Sequence, residues 1–244
     1  MENTEGLSLV NRTTRKNESK VVKKRKSFTL AEVLIVLGII GVIAAFALPN
    51  LFISVHKSMA ETKLRRFYAE MNQAIKMAAA ETGVDVDGWT VRGRQYNKAE
   101  LDKFVDTFFR PYLNINYTRE LSPNPRTCNG KCPRILVVLN NGIAFSMYID
   151  DNGIDIFMHP NPEKTDFMST RDAFAFQLIK KDATNVFSSV GSMEPYTAFW
   201  NDGKESTLWN DNKRGCNRLT SSNKQYCTKI IQLNGWKIPR NYPW

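Results

Sequence analysis

The sequence predicts an α+β protein in which a long N-terminal helix, apolar in its first half and amphipathic in its second, packs on an antiparallel β-sheet. Three observations lead to this prediction. An apolar run covers residues 28–48, apolar side chains then recur at three- and four-residue steps up to Thr82, and strand-like segments flank a tight-turn dipeptide further on. The first two patterns are typical of helices and the third of a β-hairpin.

The apolar run from Phe28 to Leu48 has the length of a membrane span. Glu32 is its only charged residue and Thr29 its only other polar residue. As a helix, a run of this length measures about 31 Å, which matches the hydrocarbon core of a bilayer. Pro49 follows, and because proline removes a helical hydrogen bond we expect a kink or a boundary there.

The segment after Pro49 is predicted to continue as an amphipathic helix with one apolar stripe. The stripe residues are Leu64, Phe67, Tyr68, Met71, Ile75 and Ala78. Gly83 is expected to end this helix, since glycine accepts the left-handed conformation that often ends a helix. A single apolar stripe requires a partner surface to cover it.

That partner surface is expected from residues 84–244. Segments 134–139 and 143–150 flank Asn141-Gly142, a dipeptide that strongly favours a hairpin turn. Further strands are predicted at residues 155–158 and 173–179, and a short helix is predicted at residues 97–110.

Half of the basic excess lies ahead of the apolar run. The formal net charge is +10, and residues 1–27 contribute +5 of it, from eight basic and three acidic side chains. A basic segment next to a membrane span sets membrane orientation, so residues 1–27 are predicted to lie on the cytoplasmic side. The remaining excess of +5 fits a solvated surface as well as it fits a DNA-binding one.

The four cysteines, Cys128, Cys132, Cys216 and Cys227, all follow the predicted membrane span. Their spacings do not match paired C-x2-C zinc ligands, and an exported domain meets an oxidising compartment, so two disulfides are expected. Four cysteines allow three connectivities, of which the two local pairs are favoured. Buried free thiols are the alternative.

The stretch SFTLAEVLIVLGIIGVIAAFALP resembles the cleavage and methylation motif of type IV pilins and type II secretion pseudopilins. A basic leader ends at a small residue, Phe28 and Thr29-Leu30 follow, Glu32 is the fifth residue after the leader, and a long apolar helix ends at a proline. The segments CNRLTSSNKQYC and NGWKIPRNYPW also look like the tails of such proteins.

The resemblance implies a pilin-like fold and a defined processing step. Prepilin peptidase would cut between Ser27 and Phe28 on the cytoplasmic face, and Phe28 would become the N-methylated terminus. Glu32 would serve methylation and assembly, by pairing its carboxylate with the amino terminus of a neighbouring subunit. The family usually has glycine before the cut, where this chain has Ser27.

The predicted organisation is a leader over residues 1–27, a transmembrane and filament-core helix over 28–52, its amphipathic continuation over 53–83, and a globular sheet domain with disulfide loops over 84–244. The resemblance implies a single-pass protein of the cytoplasmic (inner) membrane with an exported C-terminal domain, which then enters a pilus or pseudopilus. Its implied partners are prepilin peptidase, the assembly machinery, and other copies of itself or related pilins.

The sequence contains few residue patterns typical of metal binding or catalysis. Asp150, Asp151 and Asp155 cluster near Gly153, and they form a candidate calcium site because some pseudopilins bind calcium in such a loop. Their spacing is not that of an EF-hand, so a polar turn between strands is the preferred interpretation. No other metal and no cofactor is expected. The only histidines, His56 and His159, lie in no catalytic motif, so no enzyme activity is predicted.

Two other functions are compatible with the sequence. A DNA-binding competence pilin would use basic and aromatic residues such as Tyr226 with Lys224 and Lys229 to hold a phosphate backbone. An exported protein that keeps its leader and stays anchored in the membrane is the second alternative. Three aromatic residues near the end of the sequence, Trp236, Tyr242 and Trp244, are expected to pack as core or strap residues rather than form a binding platform.

Overall fold

The computed structural model describes residues 28–89, 98–122, 135–150, 153–167, 169–179, 191–220 and 224–244. The side chains of Asn50 and Asp150 are outside this description. The chain divides after Asn50 into two compact units.

Four α-helices are found in the described residues. They are α1 (Leu30–Thr82), α2 (Lys98–Phe108), α3 (Glu205–Asn210) and α4 (Cys227–Leu233), and a 3-10 turn covers Val86–Gly88. α1 continues through Pro49, which agrees with the prediction of one long helix, and the kink at Pro49 remains a prediction. Gly83 ends α1 as predicted, with φ at 66° and its N–H donating to the Ala79 carbonyl at 3.1 Å.

Six strands form one antiparallel sheet in the described residues. The strands are β1 (Ile115–Glu120), β2 (Ile135–Leu139), β3 (Ala144–Asp150), β4 (Gly153–His159), β5 (Phe174–Ile179) and β6 (Met193–Pro195). Their spatial order is the order of the sequence. The α+β prediction is therefore confirmed.

The predicted hairpin joins β2 to β3 through four residues, Asn140 to Ile143. Gly142 donates its N–H to the Leu139 carbonyl at 3.1 Å and has φ at 75°, and Leu139 donates to the Ile143 carbonyl at 2.8 Å. This is a tight turn closed by a residue in the left-handed conformation, where glycine carries no steric cost.

The apolar stripe of α1 packs on the sheet in the second unit. Leu64, Phe67, Met71, Ile75 and Ala78 are buried in one core with inward-facing strand residues. The Phe67 ring lies 5.7 Å from the rings of both Phe145 on β3 and Phe176 on β5. The stripe thus has the partner surface that its periodicity requires.

The other face of the sheet is also covered. All six residues of β5 are buried, including Ala175, Gln177 and Ile179, which alternate with Phe174, Phe176 and Leu178. Phe167 packs over the outward residues of β2 and β3, and the Gln177 amide donates to the Thr197 hydroxyl at 3.0 Å. Loops from distant parts of the sequence provide this second layer.

A segment that we call the strap, residues 234–244, runs against α1. Lys237 Nζ contacts a Glu61 carboxylate oxygen at 2.7 Å, and the Ile238 N–H donates to the other oxygen at 2.9 Å. The Tyr68 and Trp236 rings lie 4.8 Å apart. Of the three late aromatic residues, Tyr242 is buried and Trp236 and Trp244 pack partly buried against the core, which agrees with a strap role.

Candidate processing and assembly site

The first residues of α1 form a reciprocal cap. The Glu32 N–H donates to the Thr29 hydroxyl oxygen at 3.2 Å, and the Glu32 carboxylate accepts from the Thr29 N–H at 2.8 Å and from its hydroxyl at 3.0 Å. This is a capping box, with Thr29 at the N-cap and Glu32 three residues on. It explains why the helix begins at Leu30 and not at Phe28.

The capping role of Thr29 is the feature of this site that sequence reasoning missed. The pattern Thr-x-x-Glu before an apolar run is itself a helix-start signal, so the sequence contained the information. Glu32 therefore has hydrogen-bond partners within its own chain, in addition to the role implied by the resemblance.

The expected cut lies between Ser27 and Phe28. Ser27 lies outside the described residues. Phe28 is described, and its side chain is 84% exposed. Phe28 precedes the capping box directly in the sequence.

The apolar run is exposed along its length. Every large apolar side chain from Phe28 to Leu48 is exposed in the isolated chain. Among the described residues α1 is the one helix long and apolar enough to cross a membrane, a test that some soluble core helices and signal sequences also pass. A surface of this kind requires lipid or other helices around it.

One of the two expected local disulfides is present. Cys216 and Cys227 are bonded, with their Cα atoms 4.8 Å apart, and the bond joins the loop after α3 to the first residue of α4. Cys128 and Cys132 lie outside the described residues, so their pairing remains a prediction.

The proposed calcium residues are not brought together by the described part of the structure. Asp151 and the side chain of Asp150 lie outside it, and Asp155 sits on β4 opposite Tyr148. No group of three or more possible ligands is found among the residues that are described. The polar turn, which is the preferred interpretation, and the calcium alternative both remain predictions.

His159 is buried in a hydrogen-bonded network. Its Nε2 lies 3.0 Å from the Ser146 hydroxyl and its Nδ1 lies 2.8 Å from the Asp172 carbonyl oxygen. Burial lowers the pKa of His159 to about 4, so the ring is neutral at physiological pH. The fully buried serine and histidine give no access to a substrate, and His56 is exposed on α1.

The aromatic residue proposed for DNA contact is not on the surface. Tyr226 is fully buried and donates its hydroxyl to the Ala198 carbonyl at 2.9 Å, and burial raises its pKa to about 12. Lys229 is engaged with Gln232 at 2.7 Å. The exposed aromatic nearby is Phe199, which has φ at 70° and an Arg214 guanidinium 4.2 Å from its ring centroid.

Two protein-family models match the chain. The first, described as Family of unknown function (DUF6613), matches residues 50–244. The second, described as Prokaryotic N-terminal methylation motif, matches residues 22–48. No curated protein matches the chain, and no solved structure matches it. The two matched ranges lie on either side of Pro49.

Proposed function

The chain belongs to the Family of unknown function (DUF6613). From its N-terminal methylation motif we propose that it is a structural subunit of a type IV pilus or type II secretion pseudopilus. The methylation motif over residues 22–48 supports the pilin or pseudopilin resemblance and indicates prepilin-type processing. It also favours a structural role over an enzymatic one.

The observation that carries the proposal is the methylation motif placed at the start of an exposed apolar helix. The motif ends at Leu48, and the same helix continues as the core element of the sheet domain. One element thus joins a segment suited to lipid or helix partners with a folded exported domain.

The proposed mechanism begins with cleavage. Prepilin peptidase hydrolyses the Ser27–Phe28 peptide bond, and the new amine of Phe28 accepts a methyl group from a methyl donor. The Glu32 carboxylate of one subunit then lies beside the Phe28 ammonium of a neighbour. Opposite charges attract strongly in an apolar core, and a subunit docked out of register leaves a buried charge unpaired. The pair therefore acts mainly by setting register.

The apolar helix exchanges one set of neighbours for another. In the cytoplasmic membrane its side chains contact lipid tails, and in the filament they contact the same helix of other subunits. Lipid tails and leucine side chains have similar polarity, so this transfer has a small solvation cost. The proposal thus includes a single membrane pass, an exported domain after residue 52, and contact with the assembly machinery.

Mass spectrometry of the N-terminus tests the proposal. In cells that contain a prepilin peptidase we expect loss of residues 1–27 and one added methyl group on Phe28. Ser27→Gly should be cleaved at least as fast, because glycine is smaller, and Ser27→Leu should keep its leader. If wild type and Ser27→Gly both retain the leader, the chain is an uncleaved membrane anchor and the proposal is wrong.

A second candidate function, DNA binding, is favoured by Phe199 and by the distribution of charge. Residues 28–190 hold 18 basic and 17 acidic side chains, which gives +1, while residues 191–244 hold eight and four, which gives +4. Phe199 is 68% exposed beside Arg214, and an exposed ring near cations is suited to stacking with a base.

A gel shift with single-stranded DNA and the full chain in detergent tests this candidate. If DNA binds there, the shift weakens as salt rises, and Phe199→Ala weakens it further. Leu219→Ala is the matched control, since Leu219 is 93% exposed but has no aromatic ring. An absent shift at low salt, or equal shifts for both variants, would exclude this site.

A further inference from the structure

In the second unit a lysine, an aromatic ring and a loop with an exposed arginine are joined by short contacts. Lys57 Nζ lies 5.8 Å from the centroid of the Trp244 ring. The Thr170 hydroxyl donates to the Pro243 carbonyl, and the Tyr242 hydroxyl donates to the Thr170 carbonyl at 2.8 Å. Arg171, next to Thr170, is exposed. We call Lys57, Arg171 and Trp244 the foot.

The helix immediately before the foot is apolar and exposed. Leu51, Phe52, Ile53 and Val55 are all exposed, and Val55 precedes Lys57 by two residues, about 3 Å along a helix axis. The apolar character of the sequence therefore does not end at Leu48 but persists to Val55.

The apolar segment is longer than a bilayer core needs. Counted from Phe28 to Val55 it has 28 residues, which as a helix measure about 42 Å, against about 30 Å of hydrocarbon and 40–45 Å including the headgroups. A segment that exceeds the core tilts or extends into the headgroup layer. Either response places Lys57, two residues after Val55, at the membrane surface.

We infer that the foot rests on the lipid headgroups of the exported side of the membrane while the subunit is in the bilayer. Tryptophan is enriched at this depth, where its apolar ring and its N–H are both accommodated, and Lys57 and Arg171 carry charges that attract lipid phosphates. Asp172 next to Arg171 is engaged by the Ser169 hydroxyl at 2.7 Å. The ligand is thus a phospholipid surface, preferably an anionic one.

This inference depends on the membrane span in the proposed function but not on cleavage or assembly. The foot would hold the sheet domain against the bilayer and limit its tilting before the subunit is extracted. A chain that keeps its leader would place the foot in the same way.

Bromine quenching of tryptophan fluorescence tests the inference. The full chain is reconstituted in phosphatidylcholine vesicles, with and without phosphatidylglycerol, using lipids brominated near the headgroup end of the acyl chain. We expect quenching of wild type and loss of most of it in Trp244→Phe. Trp89→Phe is the matched control, because Trp89 is fully buried and follows the far end of α1.

Charge variants test whether Lys57 attracts anionic headgroups or whether Trp244 only happens to lie near the membrane. Lys57→Gln should reduce the extra quenching that phosphatidylglycerol produces, while Lys76→Gln, an exposed lysine further along α1, should not. Thermal unfolding of each variant in detergent checks that it folds. Equal quenching of wild type and Trp244→Phe overturns the inference. If Trp244 is quenched but the leader is found uncleaved, only the filament proposal is overturned.

Discussion

Thr29 and Glu32 bond each other in both directions at the start of α1, with the carboxylate accepting from Thr29 N at 2.8 Å while the Glu32 N–H donates to the Thr29 hydroxyl at 3.2 Å. A carboxylate proposed for an intersubunit ion pair therefore has partners before assembly. The capping box needs an acceptor at residue 32, whereas the ion pair needs a negative charge. The two roles can be separated because glutamine meets only the first requirement.

Glu32→Gln and Glu32→Ala should both insert in the membrane and both lose most filament incorporation. Glutamine keeps the cap but has no charge, and alanine has neither, so similar defects identify the charge as the essential property. The measurement is the fraction of cleaved subunit recovered in sheared filaments or pseudopili. Leader removal, followed by mass, shows that each variant reaches the peptidase.

Thr29→Val is the matched control for the cap. It removes the hydroxyl without changing any charge, so we expect near-normal incorporation with a less stable helix start. If Glu32→Gln assembles normally and Thr29→Val does not, the capping box is the essential feature and the proposed ion pair is wrong.

Removing the Cys216–Cys227 disulfide should destabilise the second unit by about 3 kcal/mol, because the cross-link closes a short loop and restricts the unfolded chain. Urea unfolding of Cys216→Ser/Cys227→Ser in detergent, followed by tryptophan fluorescence, measures the loss. Wild type treated with a reductant should move toward the double variant. An unchanged urea midpoint would mean that the loop is held by its other contacts.

The elements that the sequence predicted are those with local signals. The stripe from Leu64 to Ala78 follows helical periodicity, Gly83 has the conformation that ends a helix, and Asn141-Gly142 lies in the hairpin turn. Each signal lies within a few residues of the structure that it specifies. The Thr29–Glu32 cap is equally local and was predictable from its Thr-x-x-Glu spacing.

The features that were not predicted depend on residues far apart in the sequence. Glu61 meets Lys237 across 176 positions, and the burial of Gln177 depends on Thr197 from a loop. The DNA-binding alternative named Tyr226 with Lys224 and Lys229, but the Tyr226 ring lies in the core. Local periodicity carries no information about which distant loop covers a sheet face.

The stability of the second unit should fall as the pH is lowered from about 6.5 toward 4. The pKa of buried His159 is lowered to about 4, so the unfolded chain takes up a proton before the folded one does. The contribution of His159 to the free energy of unfolding is fully present above its pKa in the unfolded chain. It is lost as the pH falls through its pKa in the folded protein, and the total loss is up to about 3 kcal/mol. Urea unfolding between pH 7 and pH 4.5 in detergent measures the slope.

Two variants assign that slope to His159. His56→Gln should leave it unchanged, because His56 is exposed on α1. His159→Gln should lower stability at pH 7, since it disturbs the contacts with Ser146 and Asp172, but should flatten the dependence between pH 6.5 and pH 4.5. A slope that persists in His159→Gln would assign the effect to other groups.

Glu61 should contribute more to stability than Lys237, although they form one ion pair. The Glu61 side chain is 13% exposed and also accepts from the Ile238 N–H, whereas the Lys237 side chain is 63% exposed. Glu61→Ala leaves a backbone donor without its partner and should cost about 1–3 kcal/mol, while Lys237→Ala removes only a solvent-screened charge and should cost less than about 1 kcal/mol. Thermal unfolding of both single variants and the double variant in detergent measures the difference. Glu61→Gln, which keeps an acceptor for Ile238, should recover part of the loss, and equal costs for Glu61→Ala and Lys237→Ala would show that the ion pair alone holds the strap.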